Sequence, residues 1–135
     1  MARLLVIDDN DALRAEVAAG LRKAGHVVVP TASGREAVRL FRADPADAVI
    51  TELVVPDQDG IETLVTLRRE FPGVPVIAMS GASRHASLYL KLARRLGAER
   101  TLVKPFSVGE LVQIVREVLA THTGSMQPEL ESSPS

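Results

Sequence analysis

The chain has 135 residues, of which 46% are hydrophobic, 24% charged and 3% aromatic, and its net charge is -1. These values are typical of one globular domain with an aliphatic core. The absence of cysteine excludes disulfides and cysteine-based metal sites, and the small net charge provides no general attraction to nucleic acid. The N-terminal apolar run is too short for a signal peptide. No stretch approaches the roughly 20 apolar residues of a membrane span. We therefore expect a cytoplasmic protein without membrane partners.

Strand-like apolar runs alternate with helical periodicity from the N-terminus onward. The elements predicted in the first part of the chain are a strand at 3–7, a helix stopped by Gly25, a strand at 27–29 ended by Pro30, a helix from Ser33 through Arg42 and a strand at 47–51. Apolar residues at Leu13, Val17 and Leu21 mark one face of the first helix. Ser33 followed by Glu36 has the spacing of a capping box at the start of the second helix.

The same alternation continues in the second part of the chain. The predicted elements are a helix ended by Pro72-Gly73, a strand at 74–79, a helix from about Arg84 to Leu96, a strand at 101–103 and a last helix capped by Ser107. Residues 122–135 lack periodicity and are rich in Ser, Pro and Glu, so we predict a disordered tail there, with no output domain after it.

Five strands alternating with five helices predict an α/β domain over residues 1–121. Nearly continuous apolar strands are typical of a parallel sheet that is covered by helices on both faces. The predicted architecture is therefore a single doubly wound, five-stranded parallel sheet.

Polar side chains follow four of the predicted strands: Asp8-Asp9, Glu52, Ser80 and Lys104. The carboxyl ends of parallel strands meet at one edge of a sheet, where ligands bind. Neighbouring carboxylates repel one another unless a cation joins them, and either Mg²⁺ or Lys104 could do so. Other interpretations stay open: the two aspartates could cap the first helix, Lys104 could be a surface lysine, and Ser80 could serve only a turn.

These motifs together resemble the phosphoacceptor site of response-regulator receiver domains in two-component signalling, over residues 2–120. The matching features are the acidic pair Asp8-Asp9, the loop residues Pro56 and Gly60 that place Glu52 at the acceptor position, the switch residue Ser80 and the Lys104-Pro105 signature. The resemblance implies the flavodoxin-like (βα)5 fold and a sensor histidine kinase or other signalling protein as partner. It also implies Mg²⁺ held by Asp8, Asp9, the residue at position 52 and the backbone carbonyl of Val54.

Two positions depart from the family pattern. Glu52 stands where the family has aspartate, and its extra methylene moves the carboxylate by roughly 1–1.5 Å, enough to slow phosphoryl transfer about 100-fold. Thr101 stands where active receivers carry the Tyr or Phe that swings inward with the switch residue. We therefore predict a non-enzymatic module that acts by protein contact, in which Glu52 reaches toward Lys104 and Ser80. The alternatives are a working acceptor at Glu52, or at Asp57.

The segment 84–104 is basic, with Glu99 as its only acid. In the resembled family, the face covered by residues 84–119 contacts partners. A basic face there favours an acidic protein surface or a second copy of the chain, although a solvated helix face would look the same. A nucleotide-binding domain is disfavoured because acids rather than a glycine loop follow the first strand.

Overall fold

The computed structural model describes residues 1–53, 60–81 and 85–131, with the backbone only for 123–131. Five strands alternate with five helices. In chain order they are β1 (Arg3–Ile7), α1 (Asp11–Lys23), β2 (Val27–Thr31), α2 (Gly34–Ala43), β3 (Ala48–Glu52), α3 (Gly60–Glu70), β4 (Val76–Ser80), α4 (Ala86–Arg95), β5 (Arg100–Val103) and α5 (Val108–Glu131). The number, type and order of the elements agree with the sequence prediction.

The strands form one parallel sheet in the order β2-β1-β3-β4-β5. The strand order reverses at β1, so the crevice beyond the ends of β1 and β3 is the switch point at which open α/β sheets bind ligands. In the register, Ile7 lies beside Thr51, which places Asp8 level with Glu52. The predicted flavodoxin-like sheet is confirmed.

Two apolar clusters cover the two faces of the sheet. In β1, Leu5 and Ile7 pack on the face of α2, α3 and α4, whereas Leu4 and Val6 pack on the face of α1 and α5. This division follows from the alternation of side chains along a strand. Because both faces are buried, β1, β3 and β4 are apolar through their middle residues, and their polar side chains lie near the strand ends.

Side chains cap several helices as their sequences predict. The Oγ of Ser33 accepts a hydrogen bond from the backbone N–H of Glu36 (3.0 Å), and Ser107 does the same for Glu110 (3.0 Å). At α1 the cap is Asn10, whose Oδ1 accepts from the N–H of Leu13 (2.9 Å). Asp8 is therefore free of a direct capping role at that helix, and its side chain is available to the sheet edge.

Several boundaries differ from the sequence prediction, and two of these differences have a clear physical reason. Pro30 was expected to end β2, yet the strand continues to Thr31, because β2 is an edge strand and a missing N–H on its outer side breaks no ladder bond. The backbone of α5 continues to Glu131, whereas a tail without regular structure was expected from residue 122. A helix that has already been nucleated propagates at little cost, and here it does so past Val118, the last buried apolar residue among the side chains that the structure describes. The domain boundary at 121 stays a prediction.

Within the described ranges, no helix combines the length and apolar character needed to cross a membrane.

Candidate functional site

An ion triad lies at the carboxyl edge of the sheet. The ammonium Nζ of Lys104 is 2.8 Å from Oδ2 of Asp8 and 2.6 Å from Oε1 of Glu52. Asp8 follows β1, Glu52 ends β3 and Lys104 follows β5. Since β4 separates β3 from β5, the lysine side chain must cross the end of β4 to reach both carboxylates. The predicted ion pair of Lys104 with the acidic cluster is thus confirmed.

Backbone N–H groups hold the two carboxylates in place. Oδ1 of Asp8 accepts from the N–H of Asn10 (2.9 Å), and Oε2 of Glu52 accepts from the N–H of Leu53 (3.0 Å). Only 1% of Asp8 and 5% of Glu52 is exposed. Oδ2 of Asp8 is buried and has no well-directed hydrogen bond, so its 2.8 Å contact with Lys104 is chiefly ionic. Both carboxylates are therefore largely desolvated, and Lys104 pairs with both of them.

The charge state of Lys104 reflects two opposing effects. Burial lowers the pKa of Lys104, because it penalises the charged form, but the close contacts with Asp8 and Glu52 and their negative charges outweigh it. The net result is a pKa of Lys104 raised above its ordinary 10.5. The ammonium is therefore charged at any physiological pH.

Residues 4–116 match the family model described as the response regulator receiver domain. The chain belongs to the response regulator receiver domain family. This match covers the whole sheet and the start of α5, and it includes every side chain of the triad. The fold assignment therefore rests on the family match as well as on the geometry, and the matched residues include those at the carboxyl edge of the sheet.

Curated relatives and solved structures agree with this receiver assignment. The chain is 34% identical over 117 residues to the transcriptional regulatory protein PrrA of Mycobacterium tuberculosis, covering 87% of the chain and 49% of PrrA. It is 33% identical over 122 residues to the transcriptional regulator NtrC of Azospirillum brasilense, covering 90% of the chain and 25% of NtrC. The chain thus spans half or less of these relatives.

Two solved receiver-like structures superpose closely on this domain. A response regulator receiver domain from Clostridium thermocellum matches with a TM-score of 0.84 at 26% identity, covering 93% of this chain and all (100%) of that one. A response regulator from Chloroflexus aurantiacus matches with a TM-score of 0.81 at 29% identity, covering 88% of this chain and 98% of that one.

The two predicted switch residues of this receiver domain lie outside the triad. Ser80 is 2% exposed at the end of β4, and its side chain makes no hydrogen bond to another described residue. The predicted approach of Glu52 to Lys104 is found, whereas no hydrogen bond joins Glu52 to Ser80. Thr101 is half-buried in β5 and lines an open cavity of about 630 Å³ between α4 and β5, together with Leu90 and Val103.

The predicted metal ligands that the structure describes, Asp8, Asp9 and Glu52, do not form a metal-binding group. Asp8 and Glu52 are both paired with Lys104, while Asp9 is exposed. Val54 and Asp57 lie outside the described residues. Within the ranges described, no three acidic or imidazole side chains are grouped so as to hold a metal ion. In this arrangement the described side chains fit an internal ammonium and do not fit Mg²⁺.

Arg14 is a further residue of the site, and the sequence reasoning did not single it out. Its guanidinium donates to the backbone carbonyl of Asp8 (2.7 Å) and to Oδ1 of Asp11 (2.7 Å). The available signal was the Asp11–Arg14 spacing of three residues, which pairs opposite charges on a helix. That spacing explains the contact with Asp11, but the contact with Asp8 depends on how α1 leaves the sheet.

Proposed function

We propose that this receiver domain signals by contact with a protein partner and without phosphorylation, with Glu52 at the acceptor position. The observation that carries the proposal is the 2.6 Å contact between Nζ of Lys104 and Oε1 of Glu52. The second carboxylate oxygen accepts from the N–H of Leu53, so the Glu52 head group is held from both sides. Both carboxylate oxygens of Glu52 are therefore engaged by groups of the protein itself.

This arrangement opposes phosphoryl transfer. An acceptor oxygen must approach the donor phosphorus in line, while cations neutralise the charge that moves. The longer side chain displaces the carboxylate by about one C–C bond, and misplacement on the order of 1 Å costs about 100-fold in rate. In addition, the Lys104 ammonium would have to leave Glu52 before it could assist an incoming phosphoryl group.

The same contacts hold the domain in one state. The triad places a negative carboxylate against Lys104 without any phosphoryl group, which supports a signalling state that is independent of phosphate supply. Thr101 has no ring that could swing toward Ser80, and the Ser80 hydroxyl is not engaged by Glu52. Both features support a domain whose state is constant and whose output depends on the presence of the partner.

The helix α4 is the face we propose for that partner, within residues 84–119. Lys91, Arg94 and Arg95 form no ion pair with any described residue, although most described arginines elsewhere do. Leu88 and Leu92 are 65% and 40% exposed beside them. A surface that is basic and apolar fits an acidic partner with apolar anchors, and a sensor histidine kinase or other signalling protein is the partner we propose.

Intact mass after incubation with acetyl phosphate and Mg²⁺ tests the proposed function. The natural chain should gain no phosphoryl group, whereas Glu52→Asp should gain one, because the shorter carboxylate restores the acceptor geometry. Glu52→Gln is the control that cannot be phosphorylated at this position, because it has no carboxylate there. A phosphoryl group on the natural chain that maps to Glu52 would mean that the domain is a working receiver with an unusual acceptor.

Binding to a panel of sensor histidine kinases, measured by interferometry, tests the partner face. Lys91→Glu combined with Arg94→Glu should weaken binding about tenfold or more, because two attractive charges become repulsive. Lys23→Glu is the matched control, since Lys23 is exposed and unpaired among the described residues but lies on α1. Analytical ultracentrifugation tests whether the α4 face instead binds a second copy of the chain. A dimer of the natural chain that the double variant abolishes would indicate this.

A further inference from the structure

We infer that Lys104 and Arg14 supply from within the protein the positive charge that a receiver site draws from a divalent cation, so that the folded domain does not bind Mg²⁺. The inference rests on the proposal that Glu52 occupies the acceptor position. It goes beyond that proposal because it concerns metal binding, which can be measured without any phosphoryl donor.

The position of the Lys104 ammonium carries the first step. Its Nζ lies 2.8 Å from Oδ2 of Asp8 and 2.6 Å from Oε1 of Glu52, which puts a positive charge directly between the two buried carboxylates. Mg²⁺ binds oxygen ligands at about 2.1 Å in a strict octahedron. An ion that used either of these oxygens would lie close to the ammonium, whose positive charge repels it.

The remaining carboxylate oxygens are also engaged. Oδ1 of Asp8 accepts from Asn10 and Oε2 of Glu52 accepts from Leu53, both through backbone N–H groups. These hydrogen bonds orient the carboxylates toward Lys104. The extra methylene of Glu52 is what allows its Oε1 to reach within 2.6 Å of the ammonium while Oε2 stays on the backbone.

Arg14 adds a second cation on the Asp8 side of the site. Its guanidinium donates to the backbone carbonyl of Asp8 at 2.7 Å and bridges to Asp11, with 21% of the side chain exposed. A guanidinium stays charged at all accessible pH values. A divalent cation that approached Asp8 would therefore be repelled by Arg14 beside the Asp8 backbone carbonyl and by Lys104 beside the Asp8 carboxylate.

Removal of the Lys104 ammonium, or of the extra methylene of Glu52, should create a metal site. Lys104→Met leaves two buried carboxylates without a counter-charge, and such a pair recruits a cation. Glu52→Asp keeps the lysine but withdraws the carboxylate from it. We expect both variants to bind Mn²⁺ or Mg²⁺ at least about tenfold more tightly than the natural chain, and Arg14→Met to gain about threefold, because Arg14 contacts Asp8 at its backbone carbonyl.

The test is a titration of the full chain with Mn²⁺ followed by water-proton relaxation, repeated with Mg²⁺ by calorimetry. Arg39→Met is the matched control, since Arg39 forms an exposed pair with Glu36 on α2 and should change nothing. Circular dichroism and the urea midpoint verify that each variant is folded; if Lys104→Met does not fold, Glu52→Asp decides the question.

The expected result is no saturable binding by the natural chain at millimolar metal and clear binding by Glu52→Asp. Submillimolar binding by the natural chain, or no gain in a folded Glu52→Asp variant, would overturn the inference. The two proposals fail separately. If the natural chain binds metal but is not phosphorylated, only this inference is wrong. If the natural chain gains a phosphoryl group on Glu52, the proposed function is wrong.

Discussion

Replacement of Lys104 by methionine tests how far the two buried carboxylates depend on the ammonium for their stability. The substitution keeps most of the apolar stem but removes the ammonium from between Asp8 and Glu52, which are 1% and 5% exposed. Removal of one partner of a buried ion pair typically costs about 3–5 kcal/mol, because the remaining charge is left uncompensated. Since the lysine side chain is 19% exposed and water can reach its site, we expect the lower end, about 3 kcal/mol.

A double-mutant cycle with Glu52→Gln separates this effect from lost packing. In the Glu52→Gln background, Lys104→Met leaves only Asp8 without its counter-charge, so its cost should fall by about 1 kcal/mol or more. The assay is equilibrium urea unfolding at neutral pH, with the slope of the transition compared among the four proteins to verify two-state behaviour. Arg42→Met is the control, because it breaks the surface pair with Glu70 and should shift the midpoint much less.

A clear result would refute this reasoning. If Lys104→Met costs less than about 1 kcal/mol, and costs the same with Gln at position 52, the triad is worth no more than a surface ion pair. The buried carboxylates of Asp8 and Glu52 would then not need the Lys104 ammonium for stability. The electrostatic argument for the proposed function would be wrong.

The remaining predictions concern pH, close packing and the core. Because the pKa of Lys104 is raised in the folded state, the stability that its charge contributes is complete below pH 10.5 and is lost as pH rises through the folded-state pKa. Urea unfolding between about pH 9 and pH 12 should therefore show a steeper loss of unfolding free energy for the natural chain than for Lys104→Arg, which stays charged. Equal losses in the two proteins would contradict this prediction. Gly60→Ala would place a Cβ 2.5 Å from Cα of Leu53, so it should destabilise by about 2 kcal/mol or more, whereas Gly73→Ala, which meets no atom within 4 Å, should be nearly neutral in the same assay. Leu64→Ala, at a fully buried position of α3, should lower the free energy of unfolding by about 2–5 kcal/mol, and a loss below 1 kcal/mol would mean that this core position is loosely packed.

The order and type of the elements could be predicted from the sequence because they depend on local patterns. Buried strands have unbroken apolar runs, and their polar ends mark the edge of the sheet where ligands bind. Capping is equally local, so the roles of Ser33 and Ser107 followed from the residue three positions on. For the same reason, the position of Glu52 at the end of a strand could be predicted from the sequence.

Strand order is a nonlocal property, and it decided how the site residues meet. Only the tertiary structure shows that β4 lies between β3 and β5, so that Lys104 crosses its end to reach Glu52 and Asp8 while the Ser80 hydroxyl is left outside the triad. The edge position of β2 likewise explains why Pro30 does not end that strand.

The role of Arg14 also required the tertiary structure, because its contact with the Asp8 carbonyl depends on the angle at which α1 leaves the sheet. The sequence by itself thus determined which charged groups reach the sheet edge, since that depends on where each strand ends. The fold alone decided which of them pair, because pairing depends on distances between segments that are far apart in the chain.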